Sequence, residues 1–440
     1  MTAHPGADTA HPERGGPAGS GYPSVQGVLH SAFAVTLLNG AARGAQLLFL
    51  LAIGNVYGIS GTTDAVFFLY SPLTVIVTVS ASVAEVVVMP ALHRIHSEAG
   101  ASALLRSLAR RGVLVSLVLS ALTLLVAYGL VPGTSPWTPL ILLPVPALAA
   151  VSALLAGVLN ARGTHAHAVV GPLYGASAAV VGLATLPLSA ASLAATLLLF
   201  ELGRAAGLAL HALPMSPAVG GRDARTEETY RWAMGAARWQ ALGALLVGVS
   251  PFVDLLFART LGTGAITSVE YASRLSALVP VLFSGKILLT YAWMSREAAR
   301  GTLRHREVHL HAVSIFVWSL IVTAFAVALS GPIIGLAYSS AEMSDTARGE
   351  LALLLACYLA GTASFVTGVV YVRALSAYGR SDVLACIAGL HLILNAVLDA
   401  VLIGPLGLYG IGLATTLTYT LTLSVFAYAF RRSCPEPATT

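Results

Sequence analysis

The chain alternates long apolar stretches with short polar loops, and this alternation predicts its elements. Runs of about 20 or more mainly apolar residues, bounded by Gly, Pro or Arg, are long enough to cross a bilayer as helices. They fall at about 28–53, 64–91, 111–131, 138–159, 166–187, 190–211, 232–257, 268–294, 308–329, 350–375, 382–403 and 409–430. The pattern therefore predicts an all-α polytopic membrane protein with about twelve spans, numbered 1 to 12 below.

Arginines gather in every second loop between these spans. They follow spans 2, 4, 6, 8, 10 and 12, at Arg94, Arg106, Arg110, Arg111, Arg162, Arg222, Arg225, Arg231, Arg296, Arg300, Arg304, Arg306, Arg373, Arg380, Arg431 and Arg432. The intervening loops contain few basic residues. Because basic loops stay on the cytoplasmic side, we expect a multi-pass protein of the cytoplasmic membrane with both termini in the cytoplasm.

The longest basic loop divides the spans into two sets of six. An even number per set gives the two sets the same orientation, as in parallel repeats around a central cavity. Gln46-Leu-Leu-Phe before Asp64 and Asp254-Leu-Leu-Phe before Glu270 repeat faintly at matching places in the two sets. The predicted divisions are a disordered cytoplasmic tail (1–24), a six-helix bundle (25–211), a cytoplasmic linker loop (212–231), a second six-helix bundle (232–432) and a cytoplasmic tail (433–440).

Composition supports a membrane protein and excludes several other classes. Hydrophobic residues make up 57% of the 440 positions and charged residues only 10%, whereas soluble proteins have about 25% charged residues. The net charge of +5 comes from the short loops, so it reflects membrane topology and not nucleic-acid binding. The three cysteines lack the spacing of a metal site or a disulfide framework.

Polar residues form stripes on three predicted spans. Asn39, Arg43 and Gln46 share a face of span 1, Glu85 ends a polar stripe on span 2, and span 11 carries His391, Asn395 and Asp399 at the same spacing. An ionisable side chain in the membrane costs about 2.5–3.5 kcal/mol, so such residues are rarely without a function. These residues either line a water-filled substrate path or form ion pairs that lock helices together.

Further ionisable residues lie in or near the spans. Glu270 and Arg274 are four residues apart in span 8, and Lys286 in the same span either lines the path or extends to the interface. Asp64 and Asp254 lie near the outer ends of their spans. Each of them either caps a helix or takes part in coupling. Pro72 and Pro90 in span 2 and Pro280 in span 8 predict kinks at matching places.

The chain lacks the common catalytic motifs. It has no G-x-x-x-x-G-K-[ST] phosphate loop, no H-E-x-x-H and no G-x-S-x-G. We therefore predict a transport protein and not an enzyme, without a metal site or a bound cofactor. Coupling to Na⁺, H⁺ or the membrane potential remains open.

Four stretches resemble a known family. They are Gly61-Thr-Thr-Asp-Ala-Val-Phe-Phe, Ala153-Leu-Leu-Ala-Gly-Val-Leu-Asn, Tyr271-Ala-Ser-Arg-Leu and the segment Leu394–Thr415. In these stretches, and over most of the chain from Leu37 to Arg432, the sequence resembles the lipid II flippase (MVF) family of the multidrug/oligosaccharidyl-lipid/polysaccharide exporter superfamily.

The resemblance implies a V-shaped pair of six-helix bundles around a cationic cavity that moves polyprenyl-pyrophosphate-linked saccharides across the membrane. It implies pyrophosphate binding by Arg43 and Arg274, and we place Asn39 and Gln46 in the same substrate site. Four acidic residues are candidates for coupling or charge balance: Asp64, Glu85, Asp254 and Glu270. Further candidates are Lys286, His391, Asn395 and Asp399. The expected partners are a lipid-linked glycan, the bilayer and cell-wall synthesis enzymes.

Two departures from the family bear on the substrate. Positions that are basic in its lipid II flippases are apolar here, at Phe49 and Val77, and twelve spans are two fewer than those flippases have. We therefore predict a flippase for lipid II or another polyprenyl-linked glycan that works by alternating access. The alternatives are a cation-coupled drug or metabolite exporter, and a non-transporting scaffold that recruits synthesis enzymes through its basic loops.

Overall fold

The computed structural model describes residues 25–84, 92, 98–131, 134–161, 164–212, 224–338 and 343–434. Helices are numbered by the predicted spans, and four spans consist of two consecutive helices, a and b. The first six spans comprise α1 Val25–Tyr57, α2 Gly61–Val83, α3 Glu98–Gly129, α4a Trp137–Leu142, α4b Val145–Ala161, α5 His165–Thr185 and α6 Ala190–Ala212. The others are α7 Ala224–Ala258, α8a Ala265–Ser276, α8b Leu278–Arg300, α9a His305–Ala328, α9b Ser330–Ala337, α10a Asp345–Ala360, α10b Thr362–Ala377, α11 Ser381–Leu406 and α12 Leu408–Ser433.

Helices dominate because a bilayer offers no water to the backbone, so each peptide group must find its partner within the segment. Local signals set the ends of several helices. Ser60 and Thr63 form a reciprocal capping box at the start of α2, and the Ser344 hydroxyl accepts from the Ala347 N–H at 3.2 Å at the start of α10a. These caps satisfy N–H groups that have no partner within the helix.

The prolines that predict kinks have different effects in spans 2 and 8. Helix α2 continues through Pro72, whereas span 8 is interrupted at Ala277 between α8a and α8b. Pro280 lies in the first turn of α8b, where a missing N–H costs no helical hydrogen bond. Pro90 lies outside the described residues. Span 8 is therefore built as two segments that meet at Ala277.

The helices pack in two groups that follow chain order. In the first group, α5 packs against α1 and α6, and α4b packs against α3 and α6. In the second group, α11 packs against α7 and α12, and α10b packs against α9a and α12. The groups meet mainly where α2 contacts α7 and α8a, with α1 touching α8b. The division between two bundles at 212–231 stays a prediction, since residues 213–223 lie outside the described part.

Exposed apolar faces identify the surface that meets lipid. Helix α3 exposes Leu114, Val118, Leu122, Leu125 and Val126, and the equivalent third span of the second group, α9a, exposes a similar face including Val313, Trp318 and Phe325. Ten helical segments are long and apolar enough to cross a membrane, and the described part of α5 adds the shorter apolar helix Val170–Thr185. With the 33-residue α1, the described residues agree with an all-α membrane protein of about twelve spans.

A close approach between α5 and α6 depends on Gly203. A Cβ atom at this position would lie 2.7 Å from the Tyr174 carbonyl oxygen and 2.7 Å from the Ala178 Cβ, and a backbone oxygen cannot move aside. We expect Gly203→Ala to force the two helices apart and to lower stability by about 1–3 kcal/mol, as overpacking does. Thermal unfolding of the purified protein in detergent measures this change.

The matched control is Gly112→Ala in α3, where nothing lies within 4 Å of the added methyl group. That variant should unfold at the parent temperature or slightly above it, because alanine favours a helix over glycine. Equal unfolding temperatures for the two variants would contradict the proposed packing.

Candidate functional site

The two helix groups are joined tightly at one end of the molecule. The starts of α2, α6 and α8a lie here. Gly61 at the start of α2 is close to the loop before α8a, since a Cβ atom added at Gly61 would lie 3.7 Å from the Thr263 Cγ2. Tyr57 at the end of α1 contacts the backbone of Ser189 just before α6. We call this end the Asp64 face. The opposite end, where α1 begins and α12 ends, is called the termini face.

Asp64 of α2 caps a helix of the other group. Its carboxylate accepts hydrogen bonds from the Gly264 N–H, from the Thr267 N–H at 2.8 Å and from the Thr267 hydroxyl at 2.6 Å. These donors include N–H groups at the start of α8a, where the helix has unpaired donors and a partial positive charge. The side chain is buried, so the bonds form away from water. Of the roles left open for Asp64, these bonds match the cap.

An aromatic cluster lies beneath this cap and consists of Phe67, Phe68, Phe252, Tyr271 and Tyr338. Phe67 meets Tyr271 edge-on at 5.8 Å between ring centroids, Tyr271 stacks on Tyr338 at 5.1 Å, and Phe68 packs on Phe252 at 5.6 Å. Because the rings come from both helix groups, the cluster closes the space between the groups below the Asp64 face.

Helix α1 packs directly onto this cluster through Gly54. An added Cβ at Gly54 would lie 2.2 Å from the Tyr338 ring, so only glycine permits this approach. Two hydrogen bonds between the groups reinforce it: Asn55 Nδ2 donates to the Ala337 carbonyl at 2.8 Å, and the Tyr271 hydroxyl donates to the Gly58 carbonyl at 3.3 Å. The Asp64 face is therefore closed by polar and apolar contacts together.

Two acidic–basic pairs lie deeper in the molecule, one in each helix group, and we call them the arginine pairs. Arg274 of α8a donates to the Glu270 carboxylate through Nε at 2.9 Å and also through Nη2, as the spacing of four residues predicts. Arg204 of α6 lies 3.5 Å from Glu201. The Tyr70 hydroxyl on α2 is close enough to interact electrostatically with all four charged groups.

Sequence reasoning missed the Glu201–Arg204 pair. Glu201-Leu-Gly-Arg204 was visible as an acidic and a basic residue three positions apart within an apolar span, which is the same kind of signal that singled out Glu270 and Arg274. Glu201 is only 3% exposed, and Arg204 is half-buried. Both belong to the candidate site.

A second polar site, the carboxylate cluster, lies within the second helix group. Asn395 Nδ2 donates to Asp254 Oδ1 and, at 3.2 Å, to Asp399 Oδ2, so one amide bridges two carboxylates. Hydroxyl groups of Thr415 and Tyr358 donate to Asp254 Oδ2 at 3.4 and 3.5 Å. Asp254 thus lies in a buried network between four helices and is not a helix cap, although the sequence left that role open.

A cavity of about 530 Å³ opens beside the carboxylate cluster. Its walls come from α2, α7, α10b, α11 and α12, and they include Trp239, Phe365, His391 and Tyr419. His391 stacks on Tyr419 at 5.6 Å between ring centroids. Asp254 also lines the cavity, whereas no arginine or lysine among the described residues does. This cavity suits an apolar or cationic group better than an anion.

The remaining candidates are placed as follows. Gln46 is half-buried in α1, and Lys286 of α8b donates to the Ser314 hydroxyl of α9a at 3.0 Å. The backbone of Asn39 and Arg43 lies in α1, but their side chains are outside the described part of the structure. Glu85 lies outside the described residues. Among the described residues, no three His, Cys, Asp or Glu side chains are placed to hold a metal ion.

Two helix groups that close at one face around buried charges have the architecture of a membrane transporter. A family model described as lipid II flippase MurJ matches residues 65–438. The chain belongs to this lipid II flippase MurJ family. A comparison with curated proteins finds no significant match.

Solved structures with the same fold agree with this assignment. A lipid II flippase MurJ in an inward closed conformation superposes with a TM-score of 0.74 at 15% identity, covering 91% of this chain and 87% of that one. An inward-facing MATE-family multidrug transporter gives 0.72 at 15% identity, covering 91% and 98%. An outward-facing MATE-family transporter gives 0.67 at 16% identity, covering 92% and 95%. At these identities the likeness concerns the fold alone.

Closure of the Asp64 face can be tested by cross-linking. We expect a Gly61→Cys/Thr263→Cys pair, in a background in which Cys357, Cys386 and Cys434 are replaced by Ser, to form a disulfide readily, since the two positions are in contact. Adding Asp64→Asn should slow this reaction several-fold, because the cap loses its charge and one acceptor. Gel mobility of a protease-nicked sample measures the cross-link.

Each single cysteine variant serves as a control for non-specific oxidation. Unchanged cross-linking after Asp64→Asn would mean that the cap does not hold the two groups together.

Proposed function

We propose that the protein moves a lipid-linked saccharide precursor of the cell wall from the cytoplasmic to the outer leaflet of the cytoplasmic membrane by alternating access. One observation carries this proposal beyond family membership. Arg274 lies between the two helix groups beneath the closed Asp64 face, and its side chain is 40% exposed although the residues around it are mostly buried. A permanent cation in that place suits an anionic headgroup.

The guanidinium group matches a diphosphate in shape as well as charge. Its planar fork donates parallel hydrogen bonds to two oxygens, which a lysine cannot do. Glu270 balances the charge of Arg274 before the substrate arrives, so the site need not hold an unpaired charge. A diphosphate competes with this carboxylate for the same donors.

The state of the transporter follows from the topology. With both termini in the cytoplasm, as the arginine distribution predicts, the Asp64 face is the outer face. On this topology the structure corresponds to a state closed toward the outside, because the Asp64 cap and the aromatic cluster join the two groups at that face. Release of the substrate requires α8a to leave Asp64 and the aromatic cluster to separate. Contacts of the basic loops with cell-wall synthesis enzymes remain a prediction.

The carboxylate cluster is the proposed coupling site. Asp254 and Asp399 are 6% and 0% exposed, and no salt bridge joins either of them to a basic side chain in the described part of the chain. Two neighbouring buried carboxylates can both stay charged only if a cation binds to them. Without a cation, the pair takes up a proton. The oxygen atoms of this cluster are suitable ligands for a hard cation such as Na⁺, and among them Asn395 Oδ1 and Asp399 Oδ1 are buried without a hydrogen-bond partner in the described part of the chain.

Coupling is tested with Asp254→Asn and Asp399→Asn in proteoliposomes. We expect each variant to bind the substrate but to transport at least about tenfold more slowly under a Na⁺ or H⁺ gradient, because it no longer takes up the cation. Asp382→Asn is the control. Asp382 lies on α11 like Asp399, but it is exposed and pairs with Arg380 at the start of that helix. Transport by both variants with the parent's gradient dependence would exclude the cluster as the coupling site.

The substrate class is tested by complementation of a strain depleted of its lipid II flippase. We expect the parent chain to restore growth and Arg274→Ala to fail while still inserting in the membrane. Arg300→Ala should behave like the parent, because Arg300 forms an exposed pair with Glu297. Growth with Arg274→Ala equal to the parent's would contradict the proposed role of this arginine.

A second candidate function rests on the cavity beside Asp254. Aromatic walls with one carboxylate and no arginine or lysine among the described lining residues favour an organic cation, so export of such a compound is the alternative. For such an exporter we expect Asp254→Asn to abolish the resistance of cells to an aromatic cation and Arg274→Ala to leave that resistance unchanged. A scaffold without transport has no support from a specific contact.

A further inference from the structure

The Glu201–Arg204 pair on α6 is incompletely satisfied. Only one contact joins the two side chains, at 3.5 Å between Arg204 Nη1 and Glu201 Oε1. Arg204 Nε and Glu201 Oε2 are buried without a hydrogen-bond partner among the described residues. A buried donor or acceptor of a charged group that stays unpaired is destabilising, because the group has lost its hydration without gaining a replacement hydrogen bond. A pair that served only to hold α6 in place would be expected to have better geometry.

The pair lies slightly deeper than Arg274. Helices α2, α6 and α8a all begin at the Asp64 face, and at 1.5 Å per residue Tyr70 and Arg274 lie roughly 14 Å along their helices, Glu201 roughly 17 Å and Arg204 roughly 21 Å. Tyr70 is close enough to interact electrostatically with the charged groups of both arginine pairs. The neighbouring Phe200 stacks on Phe49 of α1 at 5.4 Å, which fixes this level of α6 against α1.

The two arginine pairs therefore come from different helix groups and lie at neighbouring depths near one tyrosine. We propose that Arg204 is a second anion-binding residue of the substrate site, so that Arg204 and Arg274 each take one phosphoryl group of a diphosphate. This inference rests on the proposed function. It assigns to α6 a direct role in substrate recognition.

The arrangement explains how the site selects a diphosphate. One guanidinium group suffices for a single phosphoryl group, whereas two groups on separate helix groups both gain hydrogen bonds from a diphosphate. The partnerless Nε of Arg204 is the donor that the ligand satisfies. Because the ligand bridges the two helix groups, it also favours the state in which both arginines can reach it.

Binding of polyprenyl diphosphate and polyprenyl monophosphate to the full chain in nanodiscs tests this assignment. We expect Arg204→Ala to weaken diphosphate binding by about tenfold or more, the loss of one hydrogen-bonding charged group. Monophosphate binding should change by less than about threefold, because Arg274 alone accounts for it. Arg204→Lys should restore part of the diphosphate affinity.

Two further variants separate recognition from folding. Glu201→Gln/Arg204→Gln keeps the size and polarity of the pair without charge, so it should fold and still show the weak diphosphate binding. Arg300→Ala is the matched control, because Arg300 and Glu297 are also three residues apart but the Arg300 side chain is 70% exposed. Unfolding temperatures of all variants report on stability separately from affinity.

The outcomes distinguish the inference from the proposed function. If the parent chain binds neither polyprenyl phosphate, the proposed substrate class is wrong. A different result would overturn only the role of Arg204. In that case the parent binds the diphosphate and Arg274→Ala abolishes binding, but Arg204→Ala and the double variant both bind like the parent, and the flippase assignment stands. An equal loss of affinity for both lipids after Arg204→Ala would also overturn the proposed role of Arg204, since the preference for diphosphate over monophosphate would be unchanged.

Discussion

The hydrogen bonds from the start of α8a to Asp64 are the interaction on which this structure depends. They connect the Asp64 side chain to backbone N–H groups 200 and 203 positions away in the sequence and join the two helix groups at the Asp64 face. A carboxylate at a helix N-terminus is stabilised by the helix dipole and by unpaired N–H groups. Because these bonds involve few atoms, they can be broken and reformed as a unit, which suits a face that has to open.

Everything below the cap follows from the cost of burying charge. The arginine pairs neutralise their own charges within one helix, so neither helix group depends on the other for charge balance. The carboxylate cluster has no such partner in the described residues and calls for a cation or a proton. On the proposed function, the molecule separates an anion-binding region at the arginine pairs from a cation-binding region inside the second group.

Much of the fold could be predicted because the bilayer imposes simple rules. Hydrophobic length gave the spans and arginine placement gave the expected topology, and the all-α class with about twelve spans is confirmed. The pairing of Glu270 with Arg274 followed from helical spacing. The stripe of Asn395 and Asp399 on α11 likewise predicted a shared face, and the Asn395 amide indeed joins Asp399 to Asp254.

Contacts between distant segments could not be read from spacing. Nothing near Asp64 in the sequence indicates that its partners are the N–H groups of Gly264 and Thr267, since a cap across two helices depends on tertiary packing. The Glu201–Arg204 pair carried a signal, but spacing alone does not place it beside Tyr70. Phe49 was read as a lost basic position, and it proves to pack on Phe200 next to that pair.

We propose that each transport cycle opens and closes the Asp64 face. This is tested by the transfer of a fluorescent lipid-linked diphosphosaccharide between leaflets of proteoliposomes that contain the Gly61→Cys/Thr263→Cys protein in the cysteine-free background. We expect oxidation to stop transfer and reduction to restore it, while the single cysteine variants transfer under both conditions. Transfer at an undiminished rate by the fully cross-linked protein would contradict it.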